Sequence, residues 1–277
     1  MPDADLLRIP AGPGALHVER YGQGGTAFVL LHGFGTSCFL WRHVGPALAL
    51  AGHTAYAVDL LGYGESDRPY MGDYALSAQA ECVARAMVAM RVEHAVVAGV
   101  DIGAGVAMRL AVQQADRVAG LALINGVAFE QCPGREVRRL QRGTARHALR
   151  IARGILGAAP LVRELLEGNV AHAEHMPPRL VARYLAPYAG SDGMTHLLAL
   201  ARALRVEDVR DLDLGAIRAP TSVIWGDAER WMDSGLPERV QAAIPLSRLT
   251  RLSDVGRLVP EEAPETLTRL LLDLCAR

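Results

Sequence analysis

A pentapeptide near the middle of the chain has the composition of a turn that presents a nucleophile. Gly99-Val100-Asp101-Ile102-Gly103 places a reactive side chain between two glycines, and it lies between a strand pattern and a helix pattern. The glycines allow neighbouring backbone to approach the turn closely. The central carboxylate is ionised at neutral pH, so it needs no base to become a nucleophile. The alternative is that Asp101 only caps the following helix.

A second glycine-containing loop could stabilise negative charge formed by such a nucleophile. The apolar run Thr26–Leu31 is followed directly by His32-Gly33-Phe34-Gly35. A backbone N–H of this loop can act with the N–H of the residue after the nucleophile to bind a developing anion. We therefore predict Phe34 and Ile102 as the oxyanion or halide donors. The alternative is a simple tight turn, and the occurrence of both loops in the right order argues against it.

The elements that position these loops alternate along the first half of the chain, which predicts a mostly parallel sheet covered by helices. Predicted strands are Leu16–Tyr21, Thr26–Leu31, Thr54–Val58, Ala95–Val100 and Ala119–Asn125, and strand patterns return at Thr221–Trp225 and Ser247–Leu252. Predicted helices are Trp41–Leu50, Ser77–Arg91 with Ser77 as N-cap, and Gly103–Gln114.

The segment from 134 to 205 interrupts this alternation. It contains no good strand and predicts about four short helices, broken near 157–160, 176–178 and 189–193. A helical insertion fits better than a second domain, because the two late strands are too few to form a sheet alone. We predict an α/β core of residues 1–133 and 206–277. The arginine-rich stretch Arg135–Arg153 favours a solvated helix face over an anion site.

The composition limits the classes of function. The chain has 277 residues, 51% of them hydrophobic, and a net charge of -1, which argues against a nucleic-acid binder. Its 29 basic residues are all arginine, which is typical of a GC-rich coding bias. The absence of lysine excludes a Schiff-base lysine, a pyridoxal-phosphate lysine and a P-loop lysine.

The remaining compositional features predict a cytoplasmic protein that contacts no membrane. The four cysteines show no CxxC spacing and are expected as free thiols, and no secretory signal or transmembrane run is found. We expect a small-molecule substrate, no metal or other cofactor, no nucleic acid, and a monomer or homodimer.

At this point the chain resembles the α/β-hydrolase superfamily, and within it the haloalkane dehalogenase and epoxide hydrolase branch. The branch rests mainly on Asp101, and the superfamily on a series of stretches from about residue 15 to the end. They are LLHGFGTSCFLWRHVGPAL (30–48), AVDLLGYGESDRP (57–69), AGVDIGAGVAMRLAVQQADRVAGLALIN (98–125), IWGDAERWM (224–232) and VGRLVPEEAPE (255–265).

The resemblance implies a helical cap at 134–205 and a two-step reaction on a small apolar substrate. A carboxylate attacks a carbon bearing a halide or epoxide oxygen, and a histidine-activated water cleaves the resulting ester. Asp101 corresponds to the nucleophile, and Asp227 to the acid that orients the histidine. Substrate-binding positions would be Tyr184 and Tyr188 in the cap. His32, in the loop after Thr26–Leu31, is a further substrate-binding candidate.

The chain departs from the family at the catalytic histidine. That position, in Asp254–Glu265, is occupied by Arg257, and no histidine follows His196. Arginine stays protonated and cannot activate water. We expect Arg257 to pair with Asp101, Asp227 or both, and so to lower the pKa of Asp101 below about 3.9. It could equally bind an anionic substrate group.

Four outcomes remain open. Another histidine could supply the base, or the reaction could stop at the ester. The fold could also carry a non-hydrolytic reaction, of a lyase or tailoring type, in which Asp101 is a general acid or base and Arg257 an electrostatic clamp. The last possibility is a silent binder. The candidate histidines are His32, His43, His147, His172, His175 and His196.

Overall fold

An eight-stranded sheet forms the centre of the protein in the computed structural model, which describes residues 3–142, 159–190 and 192–276. The strand order is β1-β2-β4-β3-β5-β6-β7-β8. Strand β2 runs in the opposite direction to the other seven, so its pairs with β1 and β4 are antiparallel and all other pairs are parallel. The strands are β1 Asp5–Pro10, β2 Ala15–Tyr21, β3 Ala27–Leu31, β4 Thr54–Val58, β5 Ala95–Val100, β6 Val118–Ile124, β7 Thr221–Gly226 and β8 Ser247–Leu252. The predicted α/β-hydrolase fold with a mostly parallel sheet is confirmed.

Helices cover the sheet, and five α-helices of the described chain lie between β6 and β7. The first three are α1 Val44–Leu50, α2 Leu76–Ala89 and α3 Ile102–Gln113. Between β6 and β7 lie α4 Arg135–Gln141, α5 Ala159–Glu167, α6 Pro178–Leu185, α7 Gly193–Ala203 and α8 Glu207–Arg210. The last three are α9 Leu236–Ala243, α10 Val259–Glu262 and α11 Pro264–Cys275.

The central strands were predictable because their side chains are buried on both faces. All six residues of β5 and of β7 are buried, and parallel strands covered by helices on both faces read as continuous apolar runs. The bounds of β4, β5 and β8 agree with the prediction. The edge strand β1 was not predicted, because its residues are mostly exposed and form no apolar run.

Two predicted helix beginnings are wrong. The predicted helix Trp41–Leu50 is a 3-10 turn at Cys38–Trp41 followed by α1. Ser77 lies inside α2, which begins one residue earlier. The N–H of Leu76 is bonded instead to the carboxylate of Asp208, 3.3 Å away and remote in sequence. A tertiary contact therefore replaces the local cap.

The segment between β6 and β7 contains helices and no strand within its described residues. Helix α6 begins at Pro178 and α7 at Gly193, as the predicted breaks require, whereas the break near 157–160 lies mostly outside the described residues. Arg135 and Arg139 of α4 are exposed, as expected of a solvated face. The part of the arginine-rich stretch beyond residue 142 lies outside the described residues. The division into core and cap remains a prediction.

Two further sequence expectations can be compared with the structure. Cys38, Cys82, Cys132 and Cys275 are all free. No helix within the described ranges combines the length and apolar character that crossing a membrane requires.

Candidate active site

Asp101 occupies a strained turn between β5 and α3. Its φ of 53° lies in the left-handed region, which a non-glycine residue adopts only when its surroundings impose it. A Cβ at Gly99 would lie 2.2 Å from the carbonyl oxygen of Gly103, so the turn can close only with glycine there. The Asp101 side chain makes no capping bond to α3. The turn therefore presents this carboxylate instead of using it as a helix cap.

The loop after β3 holds one oxygen of that carboxylate. The N–H of Phe34 donates to Asp101 Oδ2 over 3.0 Å, and both residues are buried. Ile102 is the first residue of α3, where an N–H has no acceptor within the helix, and it is also buried. The structure thus brings Phe34 to Asp101 and places Ile102 next to it.

Arg257 lies at the centre of a buried group of carboxylates. Its Nε and Nη2 donate to the two oxygens of Glu229, over 2.7 and 3.0 Å. Its Nη1 donates to Glu136 Oε1 over 2.5 Å and contacts Asp101 Oδ1 at the longer distance of 3.4 Å. The Arg257 side chain is 1% exposed. We call Arg257, Asp101, Glu136 and Glu229 the buried arginine cluster.

The shared arginine affects these carboxyl groups differently. Burial raises the pKa of Asp101 to about 6, because the single 3.4 Å contact with Arg257 and the Phe34 N–H offset only part of that effect. Glu136 and Glu229 raise it further. Glu229 is also buried, but its two short bonds to Arg257 outweigh burial and lower its pKa. The expected pairing of Arg257 with Asp101 is present, but the expected lowering of the Asp101 pKa is wrong.

The structure does not bring Asp227 to this site. Its carboxylate is bonded to Arg251 Nε over 2.7 Å, and its side chain is 35% exposed. Arg251 is bonded in turn to Glu238 at 2.6 Å. Glu229, two residues further along the same loop, reaches Arg257 instead. Of the two partners expected for Arg257, the structure shows Asp101 and not Asp227.

His32 is buried in the loop after β3, but both of its ring nitrogens are engaged by backbone. Nδ1 lies 2.8 Å from the Gly33 carbonyl oxygen, and Nε2 accepts the Leu60 N–H over 3.1 Å. Burial lowers the pKa of His32, which keeps the ring neutral. These bonds give His32 a structural role in this loop and leave no ring nitrogen for a substrate.

The other candidate histidines of the described chain are engaged elsewhere or show no contact with Asp101. His196 lies 2.5 Å from the Gly62 carbonyl oxygen, and His175 lies 3.4 Å from Glu262. His172 packs against His175. No contact joins His43 to the cluster, and His147 lies outside the described residues.

The two predicted tyrosines are both buried, but they differ in their contacts. Tyr184 donates to Glu261, which also forms a two-bond ion pair with Arg42. The hydroxyl of Tyr188 is buried without a hydrogen-bond partner among the described residues. Tyr188 therefore remains a candidate for substrate contact, whereas Tyr184 is occupied.

Three residues of this site were missed from the sequence. Glu229 follows Asp227 in the same loop, and Glu136 lies in the arginine-rich stretch interpreted as solvated. Tyr63, 1% exposed, packs edge-on against His32 and Phe34, and burial together with Tyr188 and Asp101 raises its pKa. Helical spacing was the one available signal: Glu136 precedes Val137 and Leu140, and all three are buried.

Comparisons with known proteins agree with this architecture. A family model described as alpha/beta hydrolase fold matches residues 26–264. A haloalkane dehalogenase of Mycobacterium marinum is 32% identical over 175 residues, which cover 62% of this chain and 55% of that protein. The chain thus spans little more than half the length of that relative.

Two further matches extend over almost the whole chain. A 2-hydroxy-6-oxononadienedioate/2-hydroxy-6-oxononatrienedioate hydrolase of Paraburkholderia xenovorans is 25% identical, covering 98% of this chain and 94% of that protein. A solved haloalkane dehalogenase structure from Agrobacterium tumefaciens superposes with a TM-score of 0.83 at 23% identity, covering 99% and 97% of the two chains. At that identity the superposition supports the fold alone.

Proposed function

Because the chain belongs to the alpha/beta hydrolase fold family, we propose that it is a hydrolase in which Asp101 attacks a small apolar substrate carrying a halide or an epoxide. One observation carries the proposal: the Phe34 N–H holds Asp101 Oδ2, while Oδ1 has, among the described residues, only the 3.4 Å contact with Arg257. Oδ1 is then the attacking atom, and Oδ2 is already in the position where negative charge develops during ester cleavage.

The surroundings of Asp101 suit an apolar substrate. Phe34 contacts Asp101 and packs against the buried ring of Tyr63, and Tyr63 in turn interacts with the buried Tyr188, whose hydroxyl has no partner in the described chain. A buried hydroxyl without a partner is unfavourable, and a substrate oxygen or halide would satisfy it. The helices between β6 and β7 would then act as the cap, since Glu136 of α4 reaches Arg257 from that segment.

The first step transfers the substrate carbon to the protein. Asp101 Oδ1 forms a bond to carbon, and the bond to halide or epoxide oxygen breaks with its electron pair leaving on that atom. The attack needs the ionised carboxylate, so its rate should rise with pH until the pKa of about 6 has been passed. The resulting ester is neutral, which removes one negative charge from the buried arginine cluster.

Intact mass and labelled water test this proposal. The protein is incubated with a panel of haloalkanes and epoxides, with Asp101→Ala as the inactive control. A single turnover in ¹⁸O-water should place the label in the Asp101 carboxyl group, because water attacks the ester carbonyl and not the substrate carbon. Neither product nor an Asp101 adduct across a broad panel would contradict the proposal.

A second candidate is a non-hydrolytic reaction with Asp101 as general acid or base. The observation favouring it is the Asp101 pKa of about 6, which suits proton transfer near neutral pH. Such an enzyme would turn over without an adduct and without ¹⁸O incorporation into Asp101. A silent binder would retain ligand affinity in the Asp101→Asn variant and show no turnover.

A further inference from the structure

We propose that Glu136 is the group that activates water for the second step, in place of the histidine whose position Arg257 occupies. This inference rests on the proposed function, because it assigns the base that cleaves the Asp101 ester. The juxtaposition that carries it is a single guanidinium nitrogen, Arg257 Nη1, which contacts both Glu136 Oε1 and Asp101 Oδ1. The two carboxyl groups are therefore neighbours.

The two oxygens of Glu136 are used unequally. Oε1 is bonded to Arg257, whereas Oε2 is buried and has no hydrogen-bond partner in the described part of the chain. A buried carboxylate oxygen without a hydrogen-bond donor is unfavourable, so binding of a water molecule or of a substrate donor group at Oε2 would be favourable. In Glu229, by contrast, both oxygens have donors: Oε2 accepts from Arg257, and Oε1 accepts from Arg257 and from the Trp231 N–H.

The local backbone makes room for this carboxylate. A Cβ at Gly134 would lie 2.5 Å from each Glu136 oxygen, so only glycine leaves space for it. Glu136 also lines a cavity of about 150 Å³, together with Leu140, Leu161, Leu165 and Trp231. A volume of that size has room for a few water molecules, at roughly 30 Å³ each.

The electrostatics of the cluster support proton uptake at this step. Ester formation on Asp101 neutralises one carboxylate, so one arginine then faces two negative charges, those of Glu136 and Glu229. Attack by water on the ester creates a third negative charge in the same buried site, which favours binding of a proton. When water then attacks, a proton moves to Glu136 while negative charge develops on Asp101 Oδ2, where the Phe34 N–H stabilises it.

The step balances as follows. Glu136 Oε2 takes one proton from water, and the oxygen of that water bonds to the Asp101 carbonyl carbon. The tetrahedral intermediate then breaks the bond between the Asp101 carboxyl carbon and Oδ1, and Oδ1 takes the proton back from Glu136 and leaves on the substrate carbon as an alcohol. Asp101 is left as a neutral acid and releases its proton to solvent before the next cycle. Carboxylates activate water in this way in inverting glycosidases.

Glu136→Gln is the principal test. The variant should form the Asp101 ester at close to the rate of the unmodified protein but cleave it at least about 100-fold more slowly, so the adduct accumulates in the intact mass. Glu164→Gln is the matched control, because Glu164 is exposed and lines the same cavity without contacting Arg257. It should cleave the ester normally.

The outcomes separate this inference from the function beneath it. Normal ester cleavage in Glu136→Gln would overturn the role of Glu136 and leave the Asp101 nucleophile standing. If the unmodified protein forms neither adduct nor product, the proposed function itself fails. Should Glu136→Gln not fold, Glu136→Asp provides the second variant. This variant retains a carboxylate on a shorter side chain. Slower ester cleavage with an unchanged rate of ester formation supports the role of Glu136, and unchanged rates of both steps oppose it.

Discussion

Two groups of arginine–carboxylate ion pairs lie near the ends of β7 and β8, one buried and the other exposed to solvent. Arg257 meets Asp101, Glu136 and Glu229 with its side chain 1% exposed. Arg251 meets Asp227 and Glu238 with its side chain 36% exposed. We call the second group the exposed arginine cluster. Water screens the exposed pairs, whereas nothing but protein neutralises the buried ones.

The comparison shows why the two acids of one loop differ. Asp227 and Glu229 both carry carboxylates and both bond an arginine, but Glu229 is buried, and its two hydrogen bonds to Arg257 lower its pKa. Burial alone would have raised it. The charge of Glu229 therefore depends on Arg257.

The largest expected effect is that of Arg257→Met. Removing the one cation leaves three buried carboxyl groups uncompensated, and breaking a buried pair in this way costs about 3–5 kcal/mol. Urea unfolding at pH 7.5 measures it. Arg251→Met is the control and should change the free energy of unfolding by about 0–1 kcal/mol. Equal losses in the two variants would contradict the distinction between the clusters.

The next effect is a pH dependence of stability arising from Asp101. Its pKa is about 6 in the folded protein against an ordinary 3.8, so the unfolded chain ionises first as pH rises. The contribution of Asp101 to stability is therefore full below about pH 4 and is lost as pH rises through 6, by roughly 2–3 kcal/mol.

The stability difference between the unmodified protein and Asp101→Asn isolates this contribution. It should move in favour of the variant between pH 4 and 7, whatever the absolute stability of the variant. A difference that stays constant over that range would show that the Asp101 pKa is not raised.

Arg42→Met should fall between the two arginine clusters. Arg42 forms two bonds to the buried carboxylate of Glu261, but its own side chain is 21% exposed, so water reaches one partner. We expect a loss of about 1–3 kcal/mol by urea unfolding. The Tyr184 hydroxyl also donates to Glu261, so this carboxylate would keep one hydrogen bond in the variant. A loss of unfolding free energy as large as that of Arg257→Met would show that the exposure of the arginine does not determine how much each ion pair contributes to stability.

The smallest effect is expected for Asp227→Asn. Its pair with Arg251 is exposed, so stability should change by less than about 1 kcal/mol, and turnover should be retained. Glu229→Gln is the matched variant in the same loop and should be markedly less stable, because it removes the two-bond partner of Arg257. Loss of turnover in Asp227→Asn without unfolding would restore the family's assignment of the acid.

The central strands and the loops at Asp101 and Phe34 could be predicted because they depend on short local patterns in the sequence. The turn at Asp101 needs glycine on both sides, and the strand before it needs continuous apolar residues, so both are visible in a short stretch of sequence. The loop at Phe34 follows from the same logic. The helix beginning at Leu76 was missed by one residue, because its N–H is bonded by Asp208 from far along the chain.

The sequence by itself determined that a carboxylate stands at the turn after β5 and that an arginine follows β8, at the position where the resemblance predicts a histidine. Only the tertiary structure decided which acids meet that arginine. Asp227 and Glu229 lie two residues apart, and the path of their loop turns one to solvent and the other inward. Glu136 meets Arg257 from α4, 121 residues earlier in the chain, through packing that no local pattern encodes.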